Sequence, residues 1–296
     1  MTRTPRWLHV LHEDDDILVV HKPAGLVCHP SKGDAASSLV GRVRLHLGPG
    51  TDPQMVHRLD RETSGVMVFA KSPDAALELR RLWHLGFVSK GYLAIVHGHP
   101  PVDEGVIDAP LGPDDSGLVA ARDCVRPDGA RARTRFRVER RLDRPEGRFA
   151  MVRAWLDTGR KHQVRIHLAH LGHPLVGDKL YGGDPTLYLA FVERRLTEQQ
   201  RARLLLPCHA LHAERLSLPW KGEEREFASR PERAFDAFLK GDELPWIDDL
   251  FDPRKPSVPV EDGSLKQDSS AFGPRMNIGL AVGTALDAAS WRRPAG

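Results

Sequence analysis

The chain has 296 residues, of which 41% are hydrophobic and 28% are charged, and its formal net charge is +3. These proportions are typical of a globular protein and exclude a disordered, collagen-like or coiled-coil chain over most of the length. The three cysteines are far apart and form no CxxC pair, which excludes a disulfide framework and a cysteine zinc site. The sequence has no apolar signal core and no membrane-spanning stretch, so we expect a cytoplasmic protein without a membrane partner.

The positive charge is concentrated in one part of the chain. Residues 120–170 contain fourteen Arg and Lys against six Asp and Glu, whereas residues 247–296 contain six against seven. A local excess of this size indicates a surface for a polyanion such as nucleic acid, or else a solvated basic face.

In the first half of the chain, strand and helix signals follow one another. Ser37 and Ser72 are predicted to cap two helices, the second of which begins with Pro73. Gly48 and Gly86 are predicted to end these helices. Apolar runs predict strands at 17–20, 66–70 and 92–96, with a turn at 22–25 after the first.

The second half of the chain contains a strand with a basic outer face. Apolar residues alternate with Arg133, Arg135 and Arg137 over 132–138, which predicts a half-buried strand paired with 149–156. Further helices are predicted from about 160 to before Gly172, from the capping box at Thr197 to before Pro207, and from Pro231 to before Gly241. Strands outnumber helices without regular βαβ alternation, so we predict an α+β fold: a largely antiparallel mixed sheet flanked by helices and loops.

A change in composition near residue 250 predicts the domain boundary. We assign residues 1–246 to one domain and residues 247–296 to a C-terminal tail. From Asp252 the chain is rich in Pro, Ser, Asp and Gly, which predicts disorder to about Arg275, followed by a weak helix pattern over 276–291.

Ionisable side chains are concentrated in two segments. In MVHRLDRETSGVMV, at 55–68, Asp60 lies between two arginines just before an apolar strand, a setting that favours its ionised form. A surface ion-pair cluster is the alternative explanation. In TGRKHQVRIHLAHLGHP, at 158–174, Arg165 falls beside Val164 on the apolar side of a predicted helix, where pairing with a carboxylate would reduce its cost.

The second segment also contains four histidines, a number that raises the question of a metal site. They repeat as HxxH without the Cys, Asp or Glu that usually complete a zinc site, so we predict no metal. The histidines are His162, His167, His170 and His173.

Taken together, the motifs resemble those of the RluA-type pseudouridine synthases. HRLDRETSG at 57–65 resembles the HRLD-x-x-TSG signature of that family. Three further motifs of the family are matched in the same order. They are KPAGL at 22–26 with HP at 29–30, KGYLA at 90–94, and TGRKHQVRIH at 158–167 followed by GHPLVGD and YG. The resemblance covers about residues 14–219 and implies the pseudouridine synthase catalytic domain.

This resemblance implies three catalytic residues. Asp60 matches the catalytic aspartate, which acts at the ribose–uracil junction of a uridine, by direct attack or through a glycal intermediate. Arg165 matches the arginine that pairs with this aspartate and keeps its pKa low. Tyr92 matches the tyrosine that lies against the target base.

Substrate-binding roles are also implied. Arg58 matches an arginine that fills the gap left by a flipped base, with a phosphate contact as the alternative. His57 is expected to support the loop or to transfer a proton, and Val164 to pack on the other face of the base. RNA is expected to lie across the basic strand through its phosphates, unless those arginines form only a solvated edge; the residues are Arg133, Arg135 and Arg137.

The implied activity is the isomerisation of a specific uridine to pseudouridine in tRNA or rRNA, by a monomer that needs no cofactor and no metal. Two other classes stay open: a non-catalytic RNA-binding or RNA-folding protein on the same scaffold, and a glycosylase that releases uracil. Many family members carry a small RNA-binding domain before the catalytic one; because the first predicted strand begins near residue 17, we expect no such domain here. Residues 187–206 are expected to be an insertion.

Overall fold

The computed structural model of the chain describes residues 8–29, 35–115, 119–242 and 246. The predicted tail at 247–296 lies outside the described residues. Within the described part, no helix is both long enough and apolar enough to cross a membrane.

The described chain folds into twelve strands and six α-helices, with a 3-10 turn at Ala35–Ser37 before the first helix. The strands are β1 (His9–Glu13), β2 (Ile17–Lys22), β3 (Gln54–Met55), β4 (Ser64–Ala70), β5 (Ser89–His97), β6 (Glu104–Asp108), β7 (Leu111–Pro113), β8 (Asp123–Val125), β9 (Arg133–Arg144), β10 (Gly147–Leu156), β11 (Leu211–Trp220) and β12 (Glu223–Ala228). The helices are α1 (Leu39–Leu47), α2 (Pro73–His84), α3 (Gln163–His170), α4 (Thr186–Val192), α5 (Glu198–Leu204) and α6 (Arg233–Lys240).

One mixed sheet of ten strands dominates the fold. Its main path runs β1-β2-β4-β11-β5-β10-β9-β6, with β3 added beside β4 and β12 beside β11, while β7 and β8 form a separate hairpin. Among the strand pairs of the described residues, β4 with β11 is parallel and the others are antiparallel. The predicted α+β class with a largely antiparallel mixed sheet is confirmed.

The parallel contact between β4 and β11 depends on Gly65. This glycine has φ 125° and pairs with Ala213, and a Cβ at position 65 would lie 2.2 Å from the carbonyl oxygen of Ala213. No L side chain fits that space, because the obstructing atom is backbone. The glycine of the TSG sequence therefore permits the strand that follows the Asp60 loop to approach the centre of the sheet.

We expect Gly65→Ala to reduce the free energy of unfolding by about 3 kcal/mol or more, through the clash and the positive φ together. Urea unfolding measures the loss. Gly48→Ala is the matched control, since Gly48 also has a positive φ but a Cβ there would meet no atom within 4 Å. Equal losses in the two variants would show that only backbone conformation matters at position 65.

The two sides of the sheet are covered by different helices. On β2, Leu18 and Val20 pack with α1, whereas Ile17 and Val19 pack in the cluster beneath α2. This is the alternation expected of a strand buried on both faces. Helix α3 packs over Phe136 and other residues of β9 and β10. The loop that contains Asp60 adjoins the α1 cluster through Leu59, a member of that cluster.

Three predicted helix starts differ from the structure, the first being that of α3, which begins at Gln163 and not near residue 160. The cap of α1 is Ser38, whose hydroxyl accepts from the Gly41 N–H at 3.1 Å, while Ser37 belongs to the preceding 3-10 turn. Helix α6 begins at Arg233 after Glu232, not at Pro231. Ser37 and Ser38 have the same capping hydroxyl, so the sequence pattern does not distinguish them. Which of the two caps the helix depends on the backbone conformation that packing allows. The capping box at Thr197 and the Ser72 cap are confirmed.

Candidate active site

Asp60 and Arg165 lie 105 residues apart in the chain and meet in an ion pair. Asp60 is in the loop between β3 and β4, and its Oδ2 accepts from Arg165 Nη1 at 2.9 Å. The same guanidinium donates through Nε and Nη2 to both oxygens of Asp178, at 2.8 and 2.9 Å. Arg165 therefore binds one fully buried carboxylate with its fork and holds the catalytic candidate with its remaining donor.

The electrostatic surroundings keep Asp60 ionised. Burial by itself would raise the pKa of its carboxyl, but His162, Arg165 and His209 lower it by more, so the pKa lies below the ordinary value. Asp178 behaves in the same way, because Arg165 outweighs its burial and its pKa is also lowered. The Asp60 side chain keeps 23% of its surface exposed, whereas that of Asp178 keeps none. Asp60 is thus the carboxylate that a substrate can reach.

Tyr92 lies on the central strand β5 beside this ion pair. Its neighbours across β10 and β11 are Ala154 and Ala213, small residues that leave room for the phenol ring. Burial and then the Asp60 charge raise the pKa of the Tyr92 hydroxyl, which therefore stays protonated at neutral pH. Val164, at the start of α3, is 3% exposed and belongs to the core cluster against which Tyr92 packs.

The Asp60 loop is tied to the turn that follows β2. Lys22 is fully buried and donates from Nζ to the carbonyl oxygens of Pro23, Leu26 and Arg61, at 2.9 to 3.0 Å. Gly25 N donates to the Arg61 carbonyl at 2.9 Å. Burial lowers the pKa of Lys22 to about 8. The KPAG sequence thus joins the turn after β2 to the Asp60 loop.

A second buried group, which sequence reasoning missed, holds the other side of the loop. Glu62 Oε2 accepts from Lys179 Nζ at 2.8 Å and from the backbone N of His209 at 3.0 Å. Thr63 Oγ1 lies 2.7 Å from His209 Nε2. Charged side chains next to Asp60 and Asp178 in the sequence were the available signal, since charges are rarely buried without partners.

The segment before α3 is held against β9 by a fully satisfied amide. Gln163 Oε1 accepts from Thr158 Oγ1 at 2.7 Å and from Arg160 N at 3.0 Å. Its Nε2 donates to the Arg133 carbonyl at 2.9 Å and to Thr134 Oγ1 at 3.0 Å. The side chain uses two acceptor and two donor positions while only 1% of the residue is exposed. This amide therefore sets the position from which α3 presents Arg165.

We expect Gln163→Glu to reduce the free energy of unfolding by about 3 kcal/mol, because a carboxylate oxygen would replace the donor that faces the Arg133 carbonyl. Thermal melts at pH 7 measure the loss. Gln200→Glu is the matched control, since glutamate also serves at this capping-box position. Equal stability of the two variants would show that the hydrogen bonds of the Gln163 amide do not stabilise the fold.

The four histidines of the second segment have different surroundings. His167 lies between Thr134 Oγ1 and the Ala109 carbonyl, at 2.8 and 2.9 Å, and His173 Nδ1 lies 2.9 Å from the His97 carbonyl. His170 is exposed. His162 faces Asp60 and Tyr181. Within the described chain, no three His, Cys, Asp or Glu side chains form a group that could hold a metal.

His57 and Arg58 begin the signature loop and differ in burial. His57 Nε2 accepts from Val68 N at 3.1 Å, and its ring stacks on Trp83 at 4.7 Å between centroids. Burial lowers the pKa of His57 to about 3, so the ring is neutral at neutral pH. Arg58 is exposed and makes no hydrogen bond or ion pair to any residue that the structure describes.

The three arginines of the basic strand are not brought together with Asp60. Thr134 and Phe136 of β9 point toward α3, so the alternating side chains point to the opposite face of the sheet. There the arginines pair with acids: Arg133 and Arg135 lie 3.7 and 3.1 Å from Asp157, and Arg137 lies 2.8 Å from Glu139. The predicted strand is confirmed, but these ion pairs reduce the charge it presents to RNA.

The matches to known proteins cover the segments that contribute this site. The sequence model described as RNA pseudouridylate synthase matches residues 16–170. The ribosomal large subunit pseudouridine synthase D of Vibrio cholerae is 38% identical over 225 residues, which are 74% of this chain and 66% of that protein. An uncharacterized RNA pseudouridine synthase of Aquifex aeolicus is 39% identical over 183 residues, 59% of this chain and 56% of that protein. The chain thus spans less than two thirds of the length of such relatives.

Solved structures agree in fold. Human RNA pseudouridylate synthase domain containing 1 superposes with a TM-score of 0.61 at 26% identity, over 80% of this chain and 90% of that one. Human RNA pseudouridylate synthase domain containing 4 superposes with the same TM-score at 28% identity, over 78% of this chain and 92% of that one. The matched residues 16–170 include Asp60, Tyr92 and Arg165, which the fold brings together at one site. The chain belongs to the RNA pseudouridylate synthase family.

Proposed function

We propose that this protein isomerises a specific uridine of a structured RNA to pseudouridine. The observation that carries the proposal is the Asp60 carboxylate, ionised and partly exposed, held by Arg165 beside the ring of Tyr92. A carboxylate in this state can act on ribose, and an aromatic ring next to it can support an uncharged base.

The reaction moves one bond and needs no redox partner. The bond between N1 of uracil and C1′ of ribose breaks, the base turns, and C5 bonds to C1′ while the C5 proton is lost and N1 gains one. Asp60 starts the reaction either by attacking C1′ or by taking a ribose proton to give a glycal. Arg165 holds the carboxylate in orientation, and Tyr92 lies against the base with its hydroxyl protonated. Val164 completes the base pocket from the start of α3.

The target uridine must leave its stack before Asp60 can reach its sugar. Arg58 is exposed two residues before Asp60, where it fills the gap left by the base or binds a phosphate. Exposed arginine side chains bind the RNA phosphates that lie outside the pocket. We retain Arg133, Arg135 and Arg137 as candidates for distant phosphates, on the face away from Asp60.

The substrate we propose is ribosomal or transfer RNA, with ribosomal RNA tested first because relatives are named ribosomal large subunit pseudouridine synthases. We propose that residues 1–246 form the catalytic unit, that residues 247–296 are a disordered tail, and that the protein acts as a cytoplasmic monomer.

The test is to incubate purified protein with ribosomal RNA and with transfer RNA transcripts, and to map pseudouridine by carbodiimide labelling and reverse transcription. We expect a stop at one or a few uridines that grows with time. Release of free uracil without a reverse-transcription stop would show that the protein is a glycosylase and not an isomerase. Saturable binding with neither product would support the non-catalytic RNA-binding alternative.

A further inference from the structure

One oxygen of Asp60 is accounted for by Arg165, and the other faces His162. Arg165 Nη1 donates to Oδ2, whereas His162 Nε2 lies 3.7 Å from Oδ1. The carboxylate is therefore approached from both sides. His162 is the N-cap residue of α3, three positions before Arg165, so the same helix start presents both groups.

The hydrogen bonds around Tyr181 determine where His162 holds its proton. The Tyr181 hydroxyl accepts from the backbone N of Asp123 at 3.2 Å and lies 2.9 Å from His162 Nδ1. Burial raises the pKa of this hydroxyl, so it keeps its proton, and because its oxygen already accepts from Asp123 N, that proton is available to Nδ1. An imidazole that accepts at Nδ1 carries its own proton on Nε2, the atom that faces Asp60.

Burial favours the neutral form of His162. Burial lowers its pKa to about 4, Arg165 and Lys161 act in the same direction, and Asp60 and Asp178 oppose them. At neutral pH the ring thus directs a neutral N–H toward the carboxylate. Such an N–H group orients the Asp60 carboxylate and leaves its negative charge in place, whereas a proton on Asp60 itself would remove that charge.

The backbone at this position is unusual for a histidine. His162 has φ 56°, in the left-handed region, and its carbonyl accepts the first helical bond from Ile166 N at 3.0 Å. The preceding Lys161 pairs with Asp123 at 3.0 Å, the residue whose backbone N also binds Tyr181. The hairpin β7–β8 therefore anchors both the turn and the tyrosine.

We propose that His162 is a positioning residue for Asp60, and that Tyr181 with the backbone of Asp123 selects its Nε2–H tautomer. The proposal rests on the proposed function, since it describes how the same carboxylate is oriented. It places the His162 Nε2–H 3.7 Å from Oδ1, the Asp60 oxygen that Arg165 does not bind, so that the imidazole orients the carboxylate from the side opposite the arginine.

His162→Asn is the informative variant, because asparagine tolerates the left-handed backbone and removes the imidazole. We expect kcat to fall about tenfold to a hundredfold with KM within a factor of two. The acid limb of the pH profile of kcat/KM should move to higher pH, since losing a donor raises the pKa of Asp60. Unchanged kcat with an unmoved acid limb would overturn the proposal, and so would a loss of thermal stability with an unmoved limb.

Tyr181→Phe tests the tautomer separately. The phenyl ring keeps its place beside the Arg165 guanidinium, which lies 5.0 Å from the ring centroid, while the donor to Nδ1 is lost. We expect a smaller fall in kcat in the same direction. In ¹⁵N-histidine NMR spectra, His162 should show the Nε2–H tautomer in the wild type and a mixture in the variant.

The NMR measurement does not depend on turnover, so it separates this inference from the proposed function. A wild-type protein that makes no pseudouridine but shows the Nε2–H tautomer would overturn the function and keep the geometry. An Nδ1–H tautomer in the wild type would overturn the inference whatever the activity.

Discussion

Asp60→Asn is expected to reduce pseudouridine formation by about four orders of magnitude or more, while RNA binding changes less than about threefold. The amide has nearly the shape of the carboxylate but cannot attack ribose or take its proton. Arg165 would still be held by Asp178, so the fold around the site should persist.

Single-turnover mapping of pseudouridine and filter binding with the same RNA measure the two effects. Asp103→Asn is the matched control, because Asp103 is an exposed carboxylate paired with Arg141 at the other end of the sheet. Turnover by the Asp60→Asn variant at a rate near that of the control would remove Asp60 from the chemistry.

Arg165→Met is expected to abolish activity and also to reduce the free energy of unfolding by about 3–5 kcal/mol. The reason is Asp178, whose side chain has no exposed surface and which would keep, among the described residues, only the backbone N–H groups of Leu180 and Tyr181 as donors. Removing the guanidinium leaves a buried carboxylate without its cation. Arg165 therefore acts both in the site and in the core.

The contribution of Asp178 to the pH dependence of stability should change sign in this variant. In the wild type the pKa of Asp178 is lowered, so its stabilisation is present above the ordinary value of 3.8 and is lost as the pH falls below it. Without Arg165, burial raises that pKa, and stability should fall as the pH increases from about 4. Urea unfolding at several pH values follows this change.

A second substitution separates the structural part of the loss. In Arg165→Met with Asp178→Asn, the amide oxygen can still accept from the Tyr181 backbone, and no charge is left at position 178. We expect most of the stability to return while activity stays absent. A double variant no more stable than Arg165→Met would show that the loss comes from packing and not from the unpaired carboxylate.

Local signals predicted five of the twelve strands of the described chain, β2, β4, β5, β9 and β10, and missed the other seven, most of which are short or lie at the edges of the sheet. The alternation over 132–138 correctly predicted a strand with a buried side and a basic side, because side chains of a strand point alternately to its two faces. The pairing of 149–156 with it followed from proximity in the chain. The exact cap of α1 did not follow, since Ser37 and Ser38 have the same chemistry.

The sequence by itself determined the α+β class, the candidate residues Asp60, Tyr92 and Arg165, and the segments that present them, because periodicity and motif are local properties. Only the tertiary structure decided which charges meet: that Arg165 is shared between Asp60 and Asp178, that His162 faces the second Asp60 oxygen, and that the arginines of β9 pair with acids on the opposite face. These contacts join residues from separate segments, and the energy of a charge depends on its burial and on its nearest partners. Neither quantity is defined until the chain is folded.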